Sequence, residues 1–170
     1  MTIKLIGAIC ILAGCGSVGF QIAGSYLREE KTLRQLISTL DYMSSELQYR
    51  LTALPELCRQ AAIETKGTLS KVFLQLSNEM VDQVAPDVSR CMSAAVSKVK
   101  DIPPITREML SVLGNCLGRF DITGQLRGLD AVRAQCREKL NALLENKDVR
   151  LRSYKTLGLC AGAAMVILFI

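Results

Sequence analysis

The stretch DITGQLRGLDAVRAQCREKLNALLENKDVRLRSYKTLGLCAGAAMVILFI, residues 121–170, carries two patterns in one uninterrupted run. Leu126, Leu129, Val132, Cys136, Leu140, Leu143 and Leu144 recur at helical spacing, which places them on one face of a helix, and no proline breaks the run. From Thr156 onward the residues carry no charge and are apolar on every side. The first part asks for partner helices and the second for lipid. A stretch of about 15 residues covers only about 22 Å, so Tyr154 at the interface and a snorkelling Lys155 are expected to complete a short span.

The opposite end of the chain has the same character. Residues 5–27 contain no charged side chain and are long enough to cross a hydrocarbon core of about 30 Å. Basic residues follow at once (Arg28, Lys31, Arg34) and gather again before the second apolar stretch (Lys147, Arg150, Arg152, Lys155). Positive flanks stay on the cytosolic side, which predicts a hairpin of two spans with the intervening body in the cytosol. Small residues fall four apart at Cys15, Gly19 and Ala23 in the first stretch and at Gly158 and Gly162 in the second, a stripe that lets membrane helices approach closely. A competing reading starts from Leu12-Ala13-Gly14-Cys15, which looks like a lipobox that would anchor the chain through an acylated Cys15. Against it, the sequence stays apolar from Cys15 to Ala23 rather than turning polar.

Composition narrows the function classes. Of 170 residues, 49% are hydrophobic but only 5% aromatic, and four prolines and the leucine- and alanine-rich packing predict an all-α body. The net charge of +5 is interspersed, without a basic block or aromatic platform, which argues against nucleic acid. Histidine is absent, removing the commonest general base and the usual nitrogen ligand for zinc. The seven cysteines include no CxxC pair. Cys58, Cys91, Cys116 and Cys136 therefore read as small apolar fillers in a reducing compartment rather than as a zinc site or a redox centre. No GxxxxGK[ST] cradle for phosphate and no paired carboxylates spaced for a di-metal bundle occur. The expectation is a non-enzyme with no cofactor, no metal and no small-molecule substrate.

Between the apolar ends, the periodicity predicts six helices. The first continues out of the N-terminal span on Leu33, Ile37, Leu40, Met43, Leu47, Leu51 and Leu54. Pro55 enforces a boundary, with Thr52 placed to cap a short helix running to about Thr65. Lys66-Gly67 breaks it, and Thr68 can cap a third helix on Leu69, Val72, Phe73, Leu76 and Met80. A fourth covers 87–100, Pro103-Pro104 forms a linker, and a fifth runs from Thr106 to the turn Gly118-Arg119-Phe120-Asp121. Asp121 is placed to cap the sixth. The expected division is an N-terminal anchor at 1–27, a cytosolic bundle at 28–154 and a C-terminal span at 155–170.

Several short pieces in this order resemble the stage III sporulation protein AB family of endospore-forming bacteria. They are Lys4-Leu5-Ile6-Gly7-Ala8, Gly19-Phe20 with Ala23, Arg34-Gln35-Leu36, Glu46-Leu47-Gln48-Tyr49, Thr52-Ala53-Leu54-Pro55-Glu56, Leu113-Gly114, Leu117-Gly118, Asp121, Gln125 and residues 155–162. The resemblance implies a subunit of the channel complex between mother cell and forespore, in the mother-cell membrane facing the forespore. Its body would be similar to the cytoplasmic domain of type II secretion system protein F. Its partners would be the complex's cytosolic ATPase, stage III sporulation protein AA, and neighbouring membrane subunits. A pilus or secretion platform subunit is the related alternative. Glu46, Tyr49, Pro55, Gly118, Asp121 and Gln125 are the candidate residues for a partner surface or for the helix junctions beneath one.

Overall fold

A computed structural model describes the backbone of residues 2–82, 87–118 and 121–169, and the side chains of residues 24–82, 87–118 and 121–145. The described residues form six helices and no strand: α1 (Thr2–Arg50), α2 (Leu54–Glu64), α3 (Thr68–Val81), α4 (Val88–Lys98), α5 (Pro104–Cys116) and α6 (Ile122–Phe169). The chain divides into two compact units, one of Met1–Arg28 with Ala142–Ile170 and the other of Glu29–Asn141. Among the described residues no helix is long and apolar enough to cross a membrane. The two spans read from the sequence, the stripe of Cys15, Gly19, Ala23, Gly158 and Gly162, and the run ending at Cys15 fall almost wholly outside the residues whose side chains are described.

Within the second unit, α1 buries one stripe: Leu33, Leu36, Leu40, Met43 and Leu47 are at most 5% exposed. Burying each such side chain is worth about 1.5–3 kcal/mol, so this stripe is the spine of the core. α6 answers with Leu129, Val132, Cys136 and Leu140, while Leu126, Leu143 and Leu144 are only half-buried. The shorter helices supply Leu57, Cys58, Leu69, Val72, Phe73, Leu76, Met92, Met109, Leu110 and Leu113.

Neighbouring helices run antiparallel, which the spacing of their contacts records. Ser70 Oγ donates to Ala62 O (2.6 Å) and Ser77 Oγ to Pro55 O (2.8 Å), so α3 descends along α2. Ser89 Oγ meets Asn115 Oδ1 at 2.7 Å. A Cβ on Gly114 would lie 2.7 Å from Met92 Cβ, so the α4 and α5 backbones touch where only glycine fits. Lys139 pairs with Glu108 at 3.4 Å, and a Cβ on Gly128 would lie 2.8 Å from Cys116 Cβ, which sets α6 against α5. Arg133 reaches Asp41, joining α6 to α1, and Tyr42 donates to Gln60 at 3.0 Å, joining α1 to α2.

Four boundaries differ from the sequence reading. Leu51 is neither helical nor buried: α1 stops at Arg50, and Leu51 has a left-handed φ of 52° and is 65% exposed. Thr52 does not cap α2; Ala53 holds that position, and the Thr52 hydroxyl donates to Glu46 Oε2 instead (3.3 Å). Pro55 in the first turn lacks one of the N–H groups that a cap would satisfy. Thr68 is the first residue of α3, and Gly67, at φ 71°, occupies the cap. The Pro103-Pro104 pair likewise begins α5 rather than linking to it.

Candidate docking surface

The antiparallel arrangement sorts the chain reversals to two ends. At one end lie residues 51–53, 82, 87, 117, 118 and 121: a Cβ on Gly118 would lie 2.5 Å from Val88 Cγ2 and 3.5 Å from Leu54 Cδ2, and Ser77 near the end of α3 holds the Pro55 carbonyl. At the other end lie 65–67 and 99–103. Glu29 and Lys139, close to the first and last residues of this unit, both contact the opening turns of α5 there. We refer to these as the far and near ends.

All six candidate residues gather at the far end. Glu46 accepts the Thr52 hydroxyl and pairs with Arg50 at 3.7 Å, which steadies the chain as it leaves α1. Pro55 starts α2 and offers its carbonyl to Ser77. Gly118 has a φ of 73°, in the left-handed region that side chains strain, and its α-carbon faces Val88. Asp121 caps α6: Oδ1 accepts from Gly124 N at 3.0 Å, and its carbonyl accepts from Gln125 N at 2.9 Å. Asp87 does the same for α4 through Arg90 N at 2.7 Å. Tyr49 differs from these, being 78% exposed.

Tyr49 has company that the sequence did not single out. Of the large apolar side chains exposed among the described residues, Tyr49, Leu51, Val81 and Ile122 sit at or beside the three reversals of the far end. In the sequence each looks like one more apolar position of a helical stripe. Only the α1 ending at Arg50, the α3 ending at Val81 and the α6 beginning at Ile122 show that all four fall at the same end of the bundle.

The described residues of this end offer apolar contact and charge. Among the described residues no group of three or more His, Cys, Asp and Glu side chains could hold a metal. Cys58, Cys91, Cys116 and Cys136 are free thiols; burial pushes Cys58 up to about 12 and Cys136 up to about 11, so neither is a nucleophile near neutral pH. A groove of about 520 Å³ between α4 and α5, lined by Met92, Ser93, Val96, Ser97, Arg107 and Ser111, has hydroxyls and a guanidinium but no general base.

A second feature missed by sequence reasoning lies at the near end. The buried Glu29 carboxylate accepts from Thr106 N (2.8 Å) and Thr106 Oγ1 (3.0 Å), 77 residues away. Pro103 carries no side-chain cap for α5, so α1 supplies the acceptor from across the core.

The comparisons decide the family. The family model of stage III sporulation protein AB matches residues 4–170. The chain belongs to the stage III sporulation protein AB family. Stage III sporulation protein AB of Bacillus subtilis (strain 168) is 25% identical over 173 residues, covering 98% of both chains. A solved structure of stage III sporulation protein AB superposes with a TM-score of 0.62 at 18% identity, covering 72% of this chain and 98% of its own, which shows the shared all-helical fold.

Proposed function

We propose that this stage III sporulation protein AB family member is a non-enzymatic assembly subunit of the mother cell to forespore channel complex. Both ends of the chain anchor its bundle to the mother-cell membrane, and the far end docks the complex's cytosolic ATPase. The observation that carries this reading is the separation of roles along the bundle. Glu29 and Lys139, beside the leads to the uncharged stretches 5–27 and 156–170, meet at the near end on α5, whereas Tyr49, Leu51, Val81 and Ile122 are exposed at the far end. Lys66 and Lys100 at the near-end reversals suit an anionic membrane surface. Neighbouring membrane subunits would meet the anchors, and no cofactor or small-molecule substrate is required.

The test is co-purification of the full chain, in detergent, with the purified ATPase. Association should survive Ile63→Ser, which alters an exposed apolar residue of the near end, and weaken with Tyr49→Ser and Val81→Ser together. No association of the unaltered chain at tens of micromolar would reject ATPase docking.

A further inference from the structure

The α4 and α5 helices touch at one level and leave a groove beyond it. Their register is fixed where Ser89 Oγ donates to Asn115 Oδ1 (2.7 Å) and where a Cβ on Gly114 would lie 2.7 Å from Met92 Cβ. One helical turn closer to the near end, Ser93 of α4 is level with Ser111 of α5, and a further turn brings Ser97 level with Arg107. All four line the groove of about 520 Å³, whose floor is Met92 and Val96.

The lining is ordered by chemistry along its length. Arg107 stands toward the near end, about 4.5 Å along α5 from its first residue, and Ser111 lies about 6 Å further in. Among the described residues the Arg107 guanidinium and the Ser93 and Ser111 hydroxyls have no hydrogen-bond or salt-bridge partner, whereas Ser97 Oγ donates to Ala94 O (2.8 Å). Glu108, next to Arg107, pairs with Lys139 of α6 at 3.4 Å, and no acid lines the groove. A guanidinium presents a fork of donors that matches phosphate, and hydroxyls both donate and accept, which suits a ligand that carries hydroxyls itself. Guanidinium first and hydroxyls deeper is the order of groups in an anionic phospholipid whose headgroup points away from the bilayer, phosphate first and hydroxyls after. A second copy laid groove to groove would instead set guanidinium against guanidinium.

We infer that the groove between α4 and α5 receives one anionic phospholipid with a hydroxyl-bearing headgroup, its phosphate on Arg107 and its headgroup hydroxyls on Ser93 and Ser111. This rests on the reading above that turns the near end toward the membrane, and adds a specific lipid contact to it.

The test is native mass spectrometry of the full chain in a neutral detergent, titrated with phosphatidylglycerol or with phosphatidylcholine. Phosphatidylglycerol should bind more tightly. Arg107→Gln should weaken its binding about fivefold, the change that one basic residue makes at an anionic surface, and Ser93→Asp, which puts a carboxylate in the groove, by at least as much. Both positions are exposed, so both variants should melt with the unaltered chain. Arg127→Gln, which removes an exposed cation near the far-end start of α6, should change nothing. The inference is overturned by equal affinity for the two lipids, by unchanged affinity in either groove variant, by an equal loss with Arg127→Gln, or by a lowered melting temperature of either groove variant. Displacement of the lipid by millimolar inorganic phosphate also overturns it, making the groove a site for free phosphate. Failure of ATPase co-purification would remove the docking half of the reading above and leave this inference standing, whereas groove variants that keep their lipid would remove this inference and leave that reading intact.

Discussion

Replacing Glu29 gives the sharpest test of how the bundle is closed. Its carboxylate is 6% exposed and holds both the amide and the hydroxyl of a fully buried Thr106. Glu29→Ala leaves two buried donors without their acceptor, at about 1–3 kcal/mol for each unsatisfied group, partly offset because a buried charge is also removed. A net loss of about 2–4 kcal/mol follows. Glu29→Gln keeps the shape and a carbonyl acceptor, and forfeits mainly the attraction of a full charge for the α5 N-terminus, about 0.3–1 kcal/mol. Thr106→Val removes the hydroxyl bond alone and should cost about 1 kcal/mol. The assay is urea unfolding of the purified chain in detergent, followed by far-ultraviolet circular dichroism. With a slope of about 2 kcal/mol per molar, Ala should lower the midpoint by about 1–2 M and Gln by at most about 0.5 M. The reasoning fails if Gln and Ala are equally damaging, or if both lie within about 0.5 kcal/mol of the unaltered chain.

Other consequences can be checked separately. Gly118→Ala must adopt a strained φ and push a methyl against Val88, and should destabilise the bundle by about 2–3 kcal/mol in the same urea titration. Hydrogen bonds from Lys98 and then Gln75 hold the Glu79 carboxyl below its ordinary value, so the folded chain takes up that proton less readily than the unfolded chain. The stability this adds is complete above the ordinary carboxylate range and disappears as pH falls through and below it; Lys98→Met should flatten that part of a pH-stability curve. Iodoacetamide at pH 8 should leave the buried Cys58 and Cys136 unmodified in the native protein and reach the half-buried Cys116, read by peptide mass.

The core was legible where one helix presents one apolar stripe. Leu33, Leu40, Met43 and Leu47 in α1 and Leu129, Val132, Cys136 and Leu140 in α6 follow from spacing alone, as does the Asp121 cap from a polar residue before an apolar run. Ile37 was placed in the stripe, but it is only half-buried and Leu36 takes the core position, because a stripe can be drawn through either of two adjacent apolar residues. Leu51 continued the periodicity of α1, yet periodicity does not encode a chain reversal forced by Pro55 four residues later. Thr52 and Thr68 are suitable cap residues, but Ala53 and Gly67 hold those positions and Glu46 takes the Thr52 hydroxyl, competition invisible to local pattern. Glu29 and Thr106 share no pattern at all, since their contact exists only once α5 lies along α1. The exposure of Leu51, Val81 and Ile122 at the same end as the candidate residues needed the helix boundaries, which spacing alone does not give.

The most direct measurement is a pair of reporters fused in turn after Ile170 in living cells. If both apolar ends cross the membrane and hold the bundle at its inner face, alkaline phosphatase at that position is active and green fluorescent protein is dark. A fluorescent fusion with an inactive phosphatase would place the C-terminus in the cytosol and contradict the two-anchor arrangement.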